Sequence, residues 1–316
     1  MVSEVAVGGA VDERHSAPER RPRRRWRPGR GVFVVPPLVL VIVFLLGPVV
    51  LIALYSVNLR TNIPGTPTAT SFANWKDFTT GPGNPFRGLF LHSLEITLLV
   101  SVLVTAAAYP LAYFLAFVAR KYRYTLLLVL LAPFFTSYLL RVIAWNVMLS
   151  NNGVINSLVQ SLGLRPKGDA IQWLIFSNFS VALVLFYSWI PFVALPIFAV
   201  LENMDRSLVE AATDLGASRF TAFWRVTFPL SLPGVIAGFV FVMIPTTGEF
   251  ITPLLVGGPS SRLFGNAIQD FFTDSPDWNY GSVLAVTLIA AVILLMLAFG
   301  RFLNTDLRQT SEGPNR

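Results

Sequence analysis

The chain has no cysteine and only two histidines, His15 and His92. Disulfides, thiolate metal sites and cysteine nucleophiles are therefore excluded, and little remains from which to build a zinc or iron site. Charge is scarce as well: 13% of residues are Asp, Glu, Lys or Arg, against about 25% in soluble domains. Hydrophobic residues make up 54%, and the mean hydropathy is +0.62. So thin a polar coat cannot keep a globular monomer in solution, and the 316 residues belong in a bilayer. Also missing are a G-x-x-x-x-G-K-[ST] loop, an HExxH pair and a GxSxG elbow. The chain thus lacks the usual phosphate cradle for ATP and any recognisable hydrolase machinery.

What is present is a series of long apolar runs. A membrane-spanning helix needs about 20 such residues, and six stretches qualify: Val32–Leu54, Ile96–Val118, Tyr124–Leu149, the part of Ala170–Leu201 from about Val181, Val226–Gly248 and Trp278–Gly300. Each is too long for a buried strand and lacks strict alternation, so the expectation is an all-α membrane protein of six transmembrane helices. The first run also exceeds the apolar core of a signal peptide, and no small-residue cleavage site follows Leu54.

Positive charge sets the expected orientation. Arginines crowd residues 1–30, and Arg120, Lys121 and Arg123, Arg206, Arg219 and Arg225, and Arg301, Arg308 and Arg316 follow in alternate connections and the tail. The other connections hold only Arg60, Lys76, Arg87, Arg165, Lys167 and Arg262. Both termini are therefore expected in the cytoplasm. The RRPRRRWRPGR start reads as a disordered topogenic extension over 1–30, with nucleic acid or anionic lipid as the lesser alternative. A six-helix transmembrane domain would cover 31–303 and a cytoplasmic tail 304–316. The external connections, near 55–95, 150–180 and 249–277, carry Pro, Gly and aromatics that suit either an interfacial belt or a docking surface.

The connection between spans four and five, ENMDRSLVEAATDLGASRFTAFWRVTFP, carries the most specific signal. Leu208, Ala211, Ala212 and Leu215 fall on one helical face. Ser207 and Glu210 have the spacing of a capping box, and Gly216 stands where a helix end calls for positive φ. A second short helix is expected from Ser218, with Phe220, Phe223 and Trp224 on one face and Pro229 opening span five.

Glu210-Ala211-Ala212, then Gly216, then Val226-Thr227-Phe228-Pro229 resemble the EAA loop of permease subunits of ABC importers. That resemblance implies a type I, MetI-like permease fold in the bacterial cytoplasmic membrane. It places an ATPase-coupling loop at residues 205–229, carried by Glu210, Ala211, Ala212, Asp214, Leu215, Gly216, Phe220 and Pro229. It also implies partners: two ATP-binding cassette subunits, a second homologous permease and an extracytoplasmic substrate-binding protein, with no nucleic acid. No cofactor is expected on this chain, since ATP and Mg would lie on the partner subunits, and the chain itself is not expected to be an enzyme. Ser137–Trp145, Gly248–Pro253 and Asp277–Gly281 further resemble polyamine (spermidine/putrescine) importer permeases. Related permeases for iron, thiamine, phosphonates and opines share parts of these motifs. A secondary transporter is the other class of alternative, but it has no use for an EAA loop.

Charges within spans are costly and call for an explanation. Arg141 and Glu249 are expected at similar depth near the outer face, where they form an ion pair holding spans three and five in register or, alternatively, where Glu249 attracts a cationic substrate. Glu95, Trp145, Asp277 and Trp278 complete the expected substrate path. Asp270, Asp274 and Asp277, interleaved with aromatics, suit an ammonium-bearing guest or simply a solvated loop. Gly234 and Gly238 form a small-xxx-small step, read as a packing seam that would suit a permease dimer.

Overall fold

The computed structural model describes residues 30–60, 70–166, 168–275 and 277–311, with side chains within 35–300. The arginines of residues 1–29 and the last residues of the tail, 312–316, lie outside the described residues. Among those described, the chain is helical and has no strand. It divides into two units at Pro48 and Val49. The first, described over 30–48, is the beginning of α1 (Arg30–Ser56), whose side chains from Val35 to Leu46 are all exposed.

The second unit holds the end of α1, then α2 (Ala73–Thr80), α3 (Pro85–Tyr113), α4 (Arg123–Leu131), α5 (Tyr138–Leu149) and α6 (Val154–Ser161). These are followed by α7 (Asn178–Glu202), α8 (Ser207–Asp214), α9 (Arg219–Ala222), α10 (Phe228–Thr247), α11 (Ile251–Val256), α12 (Phe264–Thr273) and α13 (Trp278–Ser311). Among the described residues, five helical segments are long and apolar enough to cross a membrane, and the pair Arg123–Phe135 and Tyr138–Ser161 makes a sixth if its two arms count as one span.

The third span expected over Tyr124–Leu149 is this pair, and its two arms are bent by 85°. Pro133 lacks an amide hydrogen. The chain tightens into a 3₁₀ turn over Ala132–Phe135 and extends through Thr136 and Ser137 before α5 starts. Prolines 110, 191, 196, 233 and 245, in other spans, lie inside continuous helices.

The second span begins at Pro85 rather than at Ile96. Asn84 caps it, its Oδ1 accepting from the Phe86 amide at 3.0 Å, and Pro85 takes the N1 position. Arg87, His92 and Glu95 depress the hydropathy of this first stretch, so a search for apolar runs passes over it. The connections expected on the outside are likewise not plain loops, since α2, α6, α11 and α12 lie within them.

At the centre α3, α7 and α10 pack on one another. α3 presents two adjoining rows four residues apart, Ile96, Val100, Val104, Ala108 and Ala112 beside Ser93, Thr97, Ser101 and Thr105, all buried. Small residues and hydroxyls suit helix packing in a membrane, where lipid offers no hydrophobic drive for association. The Gly234 and Gly238 seam faces α7 of the same chain rather than remaining free for a partner. A Cβ at Gly234 would lie 2.8 Å from the Pro196 carbonyl oxygen, and one at Gly238 would lie 2.9 Å from Val193 Cγ1.

Candidate functional site

At one end of the second unit, α8 and α9 form an exposed knob. The expected capping box is absent: Ser207 is the first residue of α8, and its amide donates instead to Asp205 Oδ1 at 3.0 Å. The Ser207 amide, then its side chain, hold the Asp205 carboxyl below its ordinary pKa. Glu210 lies exposed in the first turn of α8, Ala211 and Asp214 are exposed, and Ala212 is half-buried.

The helix ends as the sequence pattern leads one to expect. Gly216 has φ +88°, the Ala217 amide donates to the Ala212 carbonyl at 3.0 Å, and the Gly216 amide donates to Thr213 at 2.9 Å. This is a Schellman closure, whose left-handed residue carries no steric penalty only as glycine. Ser218 then caps α9 through the Thr221 amide at 3.2 Å.

Contrary to expectation, α9 is no separate short helix. A π-helical turn over Phe223–Thr227 joins it to α10, so that Arg219–Thr247 is one continuous helix. Pro229, exposed as the second residue of α10, has no amide to offer the Arg225 carbonyl, which accounts for a widened turn just there. Leu215 is 89% exposed and Phe220 73%. Beside them lies a groove of about 590 Å³ lined by Ala212, Leu215, Gly216, Ser218, Thr221 and Arg225.

The base of the knob is anchored. Arg206 donates to the Ala116 carbonyl at 3.1 Å, and its guanidinium lies 5.2 Å from the Phe117 ring. Phe223 packs edge-on against Tyr109 and Tyr113, each at 5.8 Å. Nearby, Arg123 forms an ion pair with Glu202 at 2.7 Å, and Tyr124 donates to the same carboxylate at 2.5 Å. Sequence reading missed these anchors. Only the placement of Arg206 immediately before α8 hinted at one.

At the far end the expected pairing of Arg141 with Glu249 does not occur, and no ion pair joins them among the described residues. Glu249 is occupied otherwise. Its Oε1 accepts from the Ile251 and Thr252 amides at 2.9 and 3.0 Å, and its Oε2 accepts from the Tyr138 hydroxyl at 3.1 Å. A carboxylate two residues before a helix is well placed to take that helix's free amides, and this local task outcompetes a distant guanidinium. The Arg141 guanidinium instead sits 4.4 Å from the Phe134 ring centroid and 5.8 Å from that of Tyr138. Trp145 is half-buried against Tyr187 at 5.4 Å, and Phe134 stacks on Tyr187 at 5.7 Å.

The remaining candidates stand apart from this group. Asp277 caps α13 by accepting from the Tyr280 amide at 3.0 Å, and Trp278 packs against Tyr55 and Phe272. Glu95 is exposed on α3. No hydrogen bond, ion pair or aromatic contact links Glu95, Asp277 or Trp278 to Arg141 or Glu249 among the described residues. Of the acids expected around a cationic guest, Asp270 pairs with Arg262. The acid that sequence reading overlooked is Asp77, which with Asn84 and the Tyr280 hydroxyl forms a closed network at 2.6–3.0 Å. Nothing local betrays it, because Tyr280 is distant in sequence.

Residues 31–309 match the family described as binding-protein-dependent transport system inner membrane component. The spermidine/putrescine transport system permease protein PotB of Escherichia coli K12 is 36% identical over 213 residues, covering 67% of this chain and 76% of that protein. PotB of Haemophilus influenzae is 33% identical over 210 residues, covering 66% and 72%. A chain in the crystal structure of a bacterial ABC transporter that imports the acidic polysaccharide alginate superposes with a TM-score of 0.67 at 17% identity, covering 87% of this chain and 94% of that one. At that identity the likeness is one of fold.

Proposed function

The chain belongs to the family of binding-protein-dependent transport system inner membrane components, and on that premise we propose that it is the permease subunit of an ATP-driven polyamine importer, coupled to its ATPases through the α8–α9 knob. The substrate reading is supported by the PotB relatives and by the cation-accepting aromatics around Tyr138. In this reading both termini and the knob face the cytoplasm. The knob docks on one of two ATP-binding subunits, a second homologous permease completes the path, and an extracytoplasmic binding protein delivers substrate. ATP and Mg bind and react on the partner subunits, and this chain performs no chemistry.

One observation carries the coupling reading. The knob offers exposed apolar side chains and a groove at its tip, yet its second helix continues without a break into a membrane span. A surface that merely faced water would have no reason to expose Leu215 and Phe220 so fully, and a flexible loop would pass no movement to α10. Glu210, Ala211, Ala212, Asp214, Leu215, Gly216 and Phe220 form the docking face, while Pro229 marks where the rod enters the span.

The test is uptake of labelled spermidine and putrescine by cells lacking the gene, complemented with the wild type or with Gly216→Pro. Proline cannot adopt φ +88°, so uptake is expected to fall at least about tenfold while the protein still reaches the membrane. Full uptake by the variant would sink the coupling role. Wild-type cells importing neither polyamine would sink the substrate and leave the permease standing.

A further inference from the structure

A guanidinium at membrane depth normally finds a carboxylate. Arg141 has none among the described residues: Glu249 is filled by two amides and a hydroxyl. What receives the charge is the Phe134 face, the edge of the Tyr138 environment and the Pro133 carbonyl, 3.4 Å from Nη1. Its Nε is buried without a hydrogen-bond partner. Ring faces and a carbonyl oxygen without a counter-ion make a cradle for a cation, and here the cation belongs to the protein.

The cradle also sits at the break between α4 and α5. Pro133, Phe135, Thr136 and Ser137 are exposed there, on backbone that is not α-helical. α4 rises about 14 Å over its length, which places the break near the middle of a bilayer. Irregular backbone at that depth is tolerated only when it is covered by protein or lines a water-filled cavity. A broken helix beside a cation held only by rings and a carbonyl suits a surface that lines the path between this chain and its partner permease.

We propose that Phe134, Tyr138 and the Pro133 carbonyl form a cation subsite of the transport path, and that Arg141 is its tethered occupant, displaced by an ammonium group of the passing substrate. This deepens the importer reading and rests on it for the identity of that substrate. The tethered guanidinium lowers the affinity of the path for any free cation. A polyamine handed over by the binding protein therefore passes through without being trapped. The side chain acts on specificity and release, and its loss turns a conduit into a binding site.

The experiment uses the complete transporter, with its partner subunits, in lipid nanodiscs without the binding protein. Equilibrium binding of labelled methylguanidinium is measured, with spermidine as competitor. Wild type and Arg141→Lys are expected to bind no methylguanidinium, because a tethered cation fills the cradle. Arg141→Ala is expected to gain saturable binding at least about tenfold above wild type, the scale of a desolvated cation–π contact, and adding Phe134→Leu is expected to abolish the gain. Arg141→Met, which keeps the aliphatic stem, carries the same expectation if the alanine variant does not assemble. Binding no greater than wild type in both neutral variants overturns the proposal, as does a gain that survives Phe134→Leu. A gain that spermidine does not compete away keeps the cradle and removes polyamines as its guest, so the two readings fail separately.

Discussion

The two ends of the second unit are built on opposite plans. At the α8 end, short helices expose large apolar side chains, and a few long-range bonds, Arg206 to Ala116 and Arg123 to Glu202, fasten their base. At the far end, short helices are tied down by buried bonds. Ser93 accepts the Phe264 amide at 2.6 Å, Asn266 donates to Phe250 at 2.8 Å and Ser180 donates to Val256 at 2.7 Å. Glu249 and the Asp77–Asn84–Tyr280 network belong to the same plan. The difference separates a part that leaves an apolar tip exposed from a part that holds its own shape. Exposed Leu215 and Phe220 add little to the stability of the isolated chain, whereas an unpaired buried amide at the far end costs free energy directly.

Exchanging charges should break the far end most severely. If Glu249 serves α11 and Arg141 serves the aromatic cradle, the double variant Arg141→Glu with Glu249→Arg restores nothing. Its uptake should match the worse single variant, at the background of uncomplemented cells, and recovery would reinstate the ion pair. Next comes the waist that joins the two ends. Gly234→Ala drives a methyl toward the Pro196 carbonyl and Val200, an overpacking expected to cost about 2–3 kcal/mol and to lower the melting temperature of the purified complex.

Ser93→Ala leaves the buried Phe264 amide without a partner. A loss of about 1–2 kcal/mol is expected, read as a lower melting temperature with uptake per molecule preserved, while Leu215→Ser at the other end should reverse that split. The smallest effect concerns Asp205. Its carboxyl is held below the ordinary value of 3.8, so its bond to the Ser207 amide is intact above that pH and is lost only as acid titrates it through the depressed pKa. Asp205→Ala should speed hydrogen exchange at the Ser207 amide at neutral pH, and Asp205→Asn, which keeps an acceptor, should not.

The same contrast explains what the residues disclosed in advance. Spans, the Gly216 turn and the helical face of α8 depend on neighbours within a few positions, so periodicity and caps revealed them. The start of α3 was hidden because polar residues in its first turns masked a helix announced only by Asn84 and Pro85. Pro133 announced an interruption of its span, but not that it would be the sharp one. Prolines 110, 191, 196, 233 and 245 lie in continuous helices, and nothing local says which one breaks its span. Glu249 was misassigned because counting residues to equal depth ignored the two amides immediately following it. The Asp77–Asn84–Tyr280 network joins residues far apart in sequence, and no local pattern could announce it.

The unbroken helix from Arg219 to Thr247 spans about 43 Å at 1.5 Å per residue, and at Gly234 and Gly238 it lies tight against the backbone of α7. A rod held tightly against its neighbour at that place can turn about it, as a lever turns about a fulcrum. From that fulcrum the arm toward the knob is longer than the arm toward Thr247 by roughly three to two. A sideways push on α9 therefore returns at Thr247 in the opposite direction and at about two-thirds of its size, beside the Glu249 cap and the Tyr138 ring. Closing one mouth and opening the other would then be the same stroke.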